Sequence, residues 1–584
     1  MEEGMKLIIK QYLASLRERD ELDALLPDLL SQMGLNVISR PRRGTKQSGV
    51  DVAAVGVIDD GPEKVYLFSI KSGDLTRTSW NGDSIQALRP SLDEILDAYI
   101  PTRLPHEHRG KQIVICLCFG GDIQEQVRSS VEGYISQNTQ DGLSFEEWNG
   151  DKLADLILTF FLKEDLLPPN CRPLLRKSLA LLDEPEASFN HFSALIKSLA
   201  AIPPSGDAQH IRAIRQINIC LWILFSWCRD AGNVESAYLS AEMALLHAWE
   251  LTKGHFAMKG TTAISIHLSF NSIVNAYQLI CRYYLAEKVI PHTGKLHGLS
   301  SAVRSSSGID VNLRLFDVLG RVAMAGIWSY WKASIADIMK DERQLFDDEI
   351  RIISFAIKNL ISNNPTLLLP FKDEQAIDIS LALLFLSFKD GNESDMKNWL
   401  HEVMKRAIFA YKWHGPYPCI LRSYRDFLEH PRRDDEYRKD VTTGSILYPT
   451  IALWAALLEK DDLFDDVKEA KKNHLAHCNF QLWYPDETSE AHLYANSDLH
   501  GAALSHVPVD LTPKEFLEAI WAECDQTDHF NKLSSQEYGL WPLILVACRH
   551  HRIPVPLHFT LGYRDNLMAK NKPAEDITPA AESS

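Results

Sequence analysis

Short runs rich in β-branched and aromatic residues are confined to about the first 165 residues of this chain, and that confinement dictates two kinds of architecture in one polypeptide. "LNVISR" (35–40), "VDVAAVGVI" (50–58), "KVYLFSI" (64–70), "KQIVICLCFGG" (111–121) and the start of "LSFEEWNGDKLADLILTFFL" (143–162) each read as a strand. The break "DDGPE" (59–63) is a turn, so the second and third runs form an antiparallel hairpin. Between and around them lie segments of helical spacing. "RDELDALLPDLLSQMG" (19–34) carries Leu22, Leu25, Leu26, Leu29, Leu30 and Met33 and stops at Gly34. "SIQALRPSLDEILDAYI" (84–100) and "DIQEQVRSSVEGYISQN" (122–138) follow. The predicted order is α-β-β-β-α-β-α-β-α.

Beyond about residue 170 the period changes to 3.6 and stays there, in segments such as "AIRQINICLWILFSWCRDA" and "FDVLGRVAMAGIWSYWKASIADIM". This predicts a large all-α region with a solenoid-like stack of antiparallel helices as its natural form. The expected divisions are 1–168, a sheet domain; 169–440, a helical sensor or scaffold; 441–564, a C-terminal helical unit; and 565–584, a disordered tail poor in apolar residues.

Bulk properties restrict the function classes. A net charge of −17 over 584 residues argues against a protein that coats nucleic acid along its whole surface, though a local basic groove remains compatible with it. The longest apolar stretch, "INICLWILFSW" (217–227), is too short to span a bilayer, so no membrane association is expected. The N-terminus is too charged for a secretory signal, and the ten scattered cysteines form no CxxC pair. Reduced thiols and a cytoplasmic location are the expectation. There is no GxxxxGK[ST] loop and no GxSxG elbow, which leaves ATP-motor and Ser/His hydrolase chemistry without support. The C-terminal histidines, His474 and His477 among them, lack a third ligand at a recognisable spacing.

The chemistry-bearing residues cluster in the hairpin. Asp51 stands at the start of one strand, and Lys71 at the end of the next, with Ser69 two residues before it on the same face. A carboxylate that holds a divalent cation can activate water, and a neighbouring lysine can position that water and offset charge on a phosphate. "SRPRRGTK" places Arg40, Arg42, Arg43 and Lys46 beside this pair, as a phosphate-contacting rim or as a solvated loop. "SGDLTRTSWNGDS" adds Arg77 and Trp80, as contacts to phosphate and base or as ordinary loop residues.

The order and spacing of "MGLNVI", "RPRRGTKQSGVDV", "LFSIKSGD", "KQIVICLCFGGDIQEQVRSSVEGYI" and "SFEEWNGDKLADLI" over residues 19–162 resemble the PD-(D/E)XK superfamily of restriction-endonuclease-like domains, most closely its Mrr-type branch. The resemblance implies an α+β domain with a mixed central sheet flanked by helices. It makes Asp51 the main metal ligand, Lys71 the catalytic lysine and Mg²⁺ or Mn²⁺ the cofactor. It aligns Asp23 with an acid on the first helix and Gln86 with a glutamine of related enzymes. Ser69 departs from the pattern, since the family carries Glu, Asp or Gln there. Two functions remain open on this basis. One is a metal-dependent endonuclease cutting DNA (RNA not excluded) in prokaryotic defence, controlled by a helical region that binds a protein partner or a second copy. The other is a degenerate nuclease-like domain serving as a nucleic-acid-binding adaptor.

Overall fold

In the computed structural model, the described residues are 6, 9–10, 12–14, 16, 18–40, 48–58, 61–82, 87–160, 171–201, 207–303, 305, 307–335, 340–495, 501–504 and 506–564. Five strands, β1 (Asn36–Ser39), β2 (Val52–Gly56), β3 (Lys64–Lys71), β4 (Gln112–Phe119) and β5 (Leu143–Trp148), form one mixed sheet in sequence order. β1, β2 and β3 pair antiparallel, with Val52 opposite Phe68 and Gly56 opposite Lys64. β3, β4 and β5 pair parallel, which sets Ser69 beside Leu117 and Lys71 beside Phe119. Every residue of β2 and all but the first of β3 and β4 are buried, as continuous apolar strands covered on both faces require.

The helices divide between those two faces. Val65, Leu67, Ile113, Ile115, Leu117 and Phe119 share a core with Leu88, Leu92, Ile95, Tyr99, Val127, Val131 and Tyr134. Those helical residues belong to α2 (Leu88–Glu94), its wide-turn continuation Ile95–Arg103, and α3 (Glu125–Asn138). On the other side α1 (Asp23–Gln32) packs on β1, β2 and α4 (Gly150–Phe160), while Phe68 meets Trp148 edge to face at 4.9 Å. The α+β order expected from the sequence is the order observed.

The chain divides into two compact units, Met1–Ile280 and Cys281–Ser584. The expected break at 168/169 falls within 161–170, outside the described residues, and so does the tail 565–584. The first unit continues from the sheet into the long helices Asp207–Asp230 and Glu235–Thr252 and most of Thr261–Tyr284, whose last four residues fall in the second unit. The second unit is mostly helical, with only two short two-stranded ladders among its described residues. Its helix Pro542–His551 packs on Gly308–Ile335 and Ala376–Ser387, elements far apart in sequence. A solenoid confines each repeat to its neighbours, so this unit is not one. All ten cysteines are buried and unbonded, and among the described residues no helix is long and apolar enough to cross a membrane.

Candidate active site

Asp51 is delivered by a backbone device that the sequence hints at in "SG". Ser48 and Gly49 both adopt positive φ, 52° and 80°, ahead of Val50. A Cβ on Gly49 would come within 2.0 Å of the Ser91 carbonyl, so only glycine lets the chain pass α2 this closely. Asp51 then enters the sheet with its backbone N–H donating to the Phe68 carbonyl at 2.9 Å. Its carboxylate accepts from the Ile70 N–H at 2.7 Å, and so closes the last rung of the β2–β3 ladder with a side-chain oxygen. Burial pushes the Asp51 carboxyl up to about 6; the Ile70 N–H and Lys71 act against that rise, and Glu18 adds to it.

Lys71 closes β3 and is itself buried, 7% exposed. Its ammonium lies 3.2 Å from Glu18 Oε1. Glu18 belongs to a π-helical turn, Glu18–Leu22, that runs directly into α1. Asp51, Lys71 and Glu18 therefore act on one another at the end of the hairpin, and Arg19 contributes a further positive charge to Asp51. Sequence reasoning selected Asp23 as the acid of the first helix, but Asp23 opens α1 five positions farther on, and the carboxylate that reaches Lys71 is that of Glu18.

The other expected residues distribute as follows. Ser69 is fully buried, and its hydroxyl has no hydrogen-bond partner, so it presents no accessible oxygen beside Asp51. Trp80, read from the sequence as a base contact, is corrected to a core residue. It is 2% exposed and packs edge to face on Tyr134 at 5.6 Å, held there by the short helix Arg77–Asn81, which Thr76 caps. Arg77 remains exposed at the start of that helix. Arg40 is half-buried and lies 3.9 Å from the buried Asp28, which ties it to α1. Arg42, Arg43, Lys46 and Gln86 lie outside the described residues.

Two carboxylates of one cluster, Asp51 and Glu18, match in kind and number what a magnesium-like cation takes from protein, since such ions bind through one or two carboxylates plus water and phosphate oxygens. Among the described residues no group of three or more His, Cys, Asp or Glu side chains stands where it could hold a metal. His477 instead meets the Thr442 hydroxyl at 2.9 Å. Burial raises the Cys116 and Cys118 thiols in β4, which keeps them protonated and chemically quiet.

Comparison of the chain with models of protein families, with curated proteins and with solved structures gives no match.

Proposed function

We propose that the sheet domain is a restriction-endonuclease-like nuclease that cuts the phosphodiester backbone of DNA, with its acidic and basic groups at the end of the β2–β3 hairpin. The observation that carries this reading is the convergence of Asp51, Glu18 and Lys71 at the end of two central strands. Asp51 and Glu18 would hold Mg²⁺ or Mn²⁺, and a bound cation supplies the Lewis acidity that phosphodiester hydrolysis requires. Lys71, desolvated and paired with Glu18, places a positive charge where the phosphate would carry its developing negative charge. Arg77 is exposed nearby in sequence and serves as a backbone contact. The helical remainder senses a partner or trigger and controls the cut, a role in defence against foreign DNA that rests on domain arrangement alone.

A second reading is favoured by one specific feature. The Asp51 carboxylate already serves the Ile70 N–H, and Ser69 leaves a buried, unpartnered hydroxyl where the family carries a ligand. That is also how a degenerate site looks when only its scaffold role survives, as in a nucleic-acid-binding adaptor.

The test incubates the full chain with supercoiled plasmid, linear DNA and RNA in Mg²⁺ or Mn²⁺, beside Asp51→Ala, Glu18→Gln and Lys71→Ala. Cutting that is lost in all three variants and on chelation supports the nuclease. Binding without cutting, equal in wild type and variants, supports the adaptor.

A further inference from the structure

The candidate site depends on Glu18, and Glu18 stands on one π-helical turn, Glu18–Leu22. Such turns are rare and often lie at functional sites, and this one carries two ties. Glu18 reaches Lys71. Three residues on in the same turn, Glu21 accepts from Arg229 Nη1 through both carboxylate oxygens, at 2.9 and 3.2 Å. Glu21 is 2% exposed. Arg229 closes the helix Asp207–Asp230, and its guanidinium also lies 5.6 Å from the centre of the Phe225 ring. Tyr12 is fully buried, and the two charges of the pair both act on it.

A charge pair held away from water tolerates few geometries, because any other arrangement leaves a desolvated charge alone. The pair therefore ties the turn to the end of the helix Asp207–Asp230. We propose that Arg229 is a positioning residue for the candidate active site. Its ion pair with Glu21 holds the turn Glu18–Leu22 so that Glu18 stays on Lys71, and through it the helix Asp207–Asp230 sets the state of the site. The inference rests on the nuclease-like reading for its functional meaning, but its physical content is the link from Arg229 to Lys71.

The experiment reads that link without requiring cleavage. Full-length wild type and the double variant Glu21→Gln/Arg229→Met, which leaves neither charge buried alone, are labelled with an amine-reactive reagent at fixed pH. Modification of Lys71 is quantified by mass spectrometry, and folding by circular dichroism. Lys71 labelling is expected to rise about fivefold, the population shift that about 1 kcal/mol produces. Glu18→Gln should raise it equally, and the charge-reversed pair Glu21→Arg/Arg229→Glu should return it toward wild type. Arg282→Met, which breaks a two-bond but more exposed pair with Glu349, should leave it unchanged. A folded double variant with wild-type labelling overturns the proposal, and so does a rise in Arg282→Met. Should the double variant unfold, Arg229→Lys carries the same readout: intermediate labelling supports the link and wild-type labelling refutes it. Absence of cleavage throughout would defeat the nuclease reading while the labelling still decides the positioning role.

Discussion

A carboxylate that titrates near pH 6 at the end of a β-ladder works against the fold that holds it. Asp51 is ionised in the unfolded chain above about pH 4 and in the native protein only above about 6. Between those values the native state binds more protons than the unfolded state, so this group's contribution to stability falls as pH rises through the window and stays low above it. Asp51→Asn keeps an oxygen for the Ile70 N–H and removes the charge. It should therefore be more stable than wild type at pH 7.5, by on the order of 1–2 kcal/mol, with the gap shrinking by pH 5. Urea titrations at the two pH values check this, and a variant less stable at pH 7.5 would refute the burial argument. The same residue shows how far a sequence reaches. Asp51 and Lys71 were legible because a lone charge interrupts each of two apolar strands. Glu18 was not, because the family resemblance, aligned through "LLSQMG", places the helix acid at Asp23, and nothing in the sequence marks the π turn that carries Glu18. Ser69 was legible as a departure from a pattern but not as a buried hydroxyl without a partner.

At the scale of elements, apolar runs bounded by turns give strand order, and the α-β-β-β-α-β-α-β-α succession follows from them. A short helix in a polar stretch does not announce itself this way. Arg77–Asn81 forms because Thr76 and Ser79 exchange capping hydrogen bonds, and it carries Trp80 into the core from an otherwise hydrophilic loop. The glycines at the end of β4 have a similarly hidden purpose. A Cβ on Gly120 would lie 2.0 Å from the Leu13 carbonyl, so backbone meets backbone there with no side chain between. Gly120→Ala must push the N-terminal segment off the strand end, at a cost of about 1–3 kcal/mol or more. Because that segment leads into the turn bearing Glu18, the nuclease proposed above would also lose cleavage in this variant before it loses its fold. Thermal melting and cleavage of the same preparation separate the two effects, and full activity with an unchanged melting point would show that the contact is dispensable.

For the molecule as a whole, the decisive question is whether the sheet domain can stand without the helices that follow it. Helical spacing in residues 19–34 suggests an amphipathic helix with one apolar face. In the structure Leu25, Leu26, Pro27, Asp28, Leu29 and Leu30 are all buried, so α1 is covered all round. Sheet and α4 cover one side, and the helix Asp207–Asp230 packs against α1 as well. Polar ties accompany that contact. Arg215 donates to the Gln32 side chain at 3.1 Å, and Arg229 binds Glu21, groups separated by about two hundred residues and invisible to any local pattern. A fragment ending at 168 strips α1 of this cover and opens apolar side chains to water, whereas one ending at 303 keeps the whole of Thr261–Tyr284 and every contact just named. The shorter fragment should aggregate or unfold at clearly lower urea, and the longer one should unfold in a single cooperative transition. Size-exclusion chromatography and urea titration of the two decide it. Equal midpoints would mean that the sheet domain is self-sufficient and that neither the packing on α1 nor the ties through Arg215 and Arg229 stabilise it.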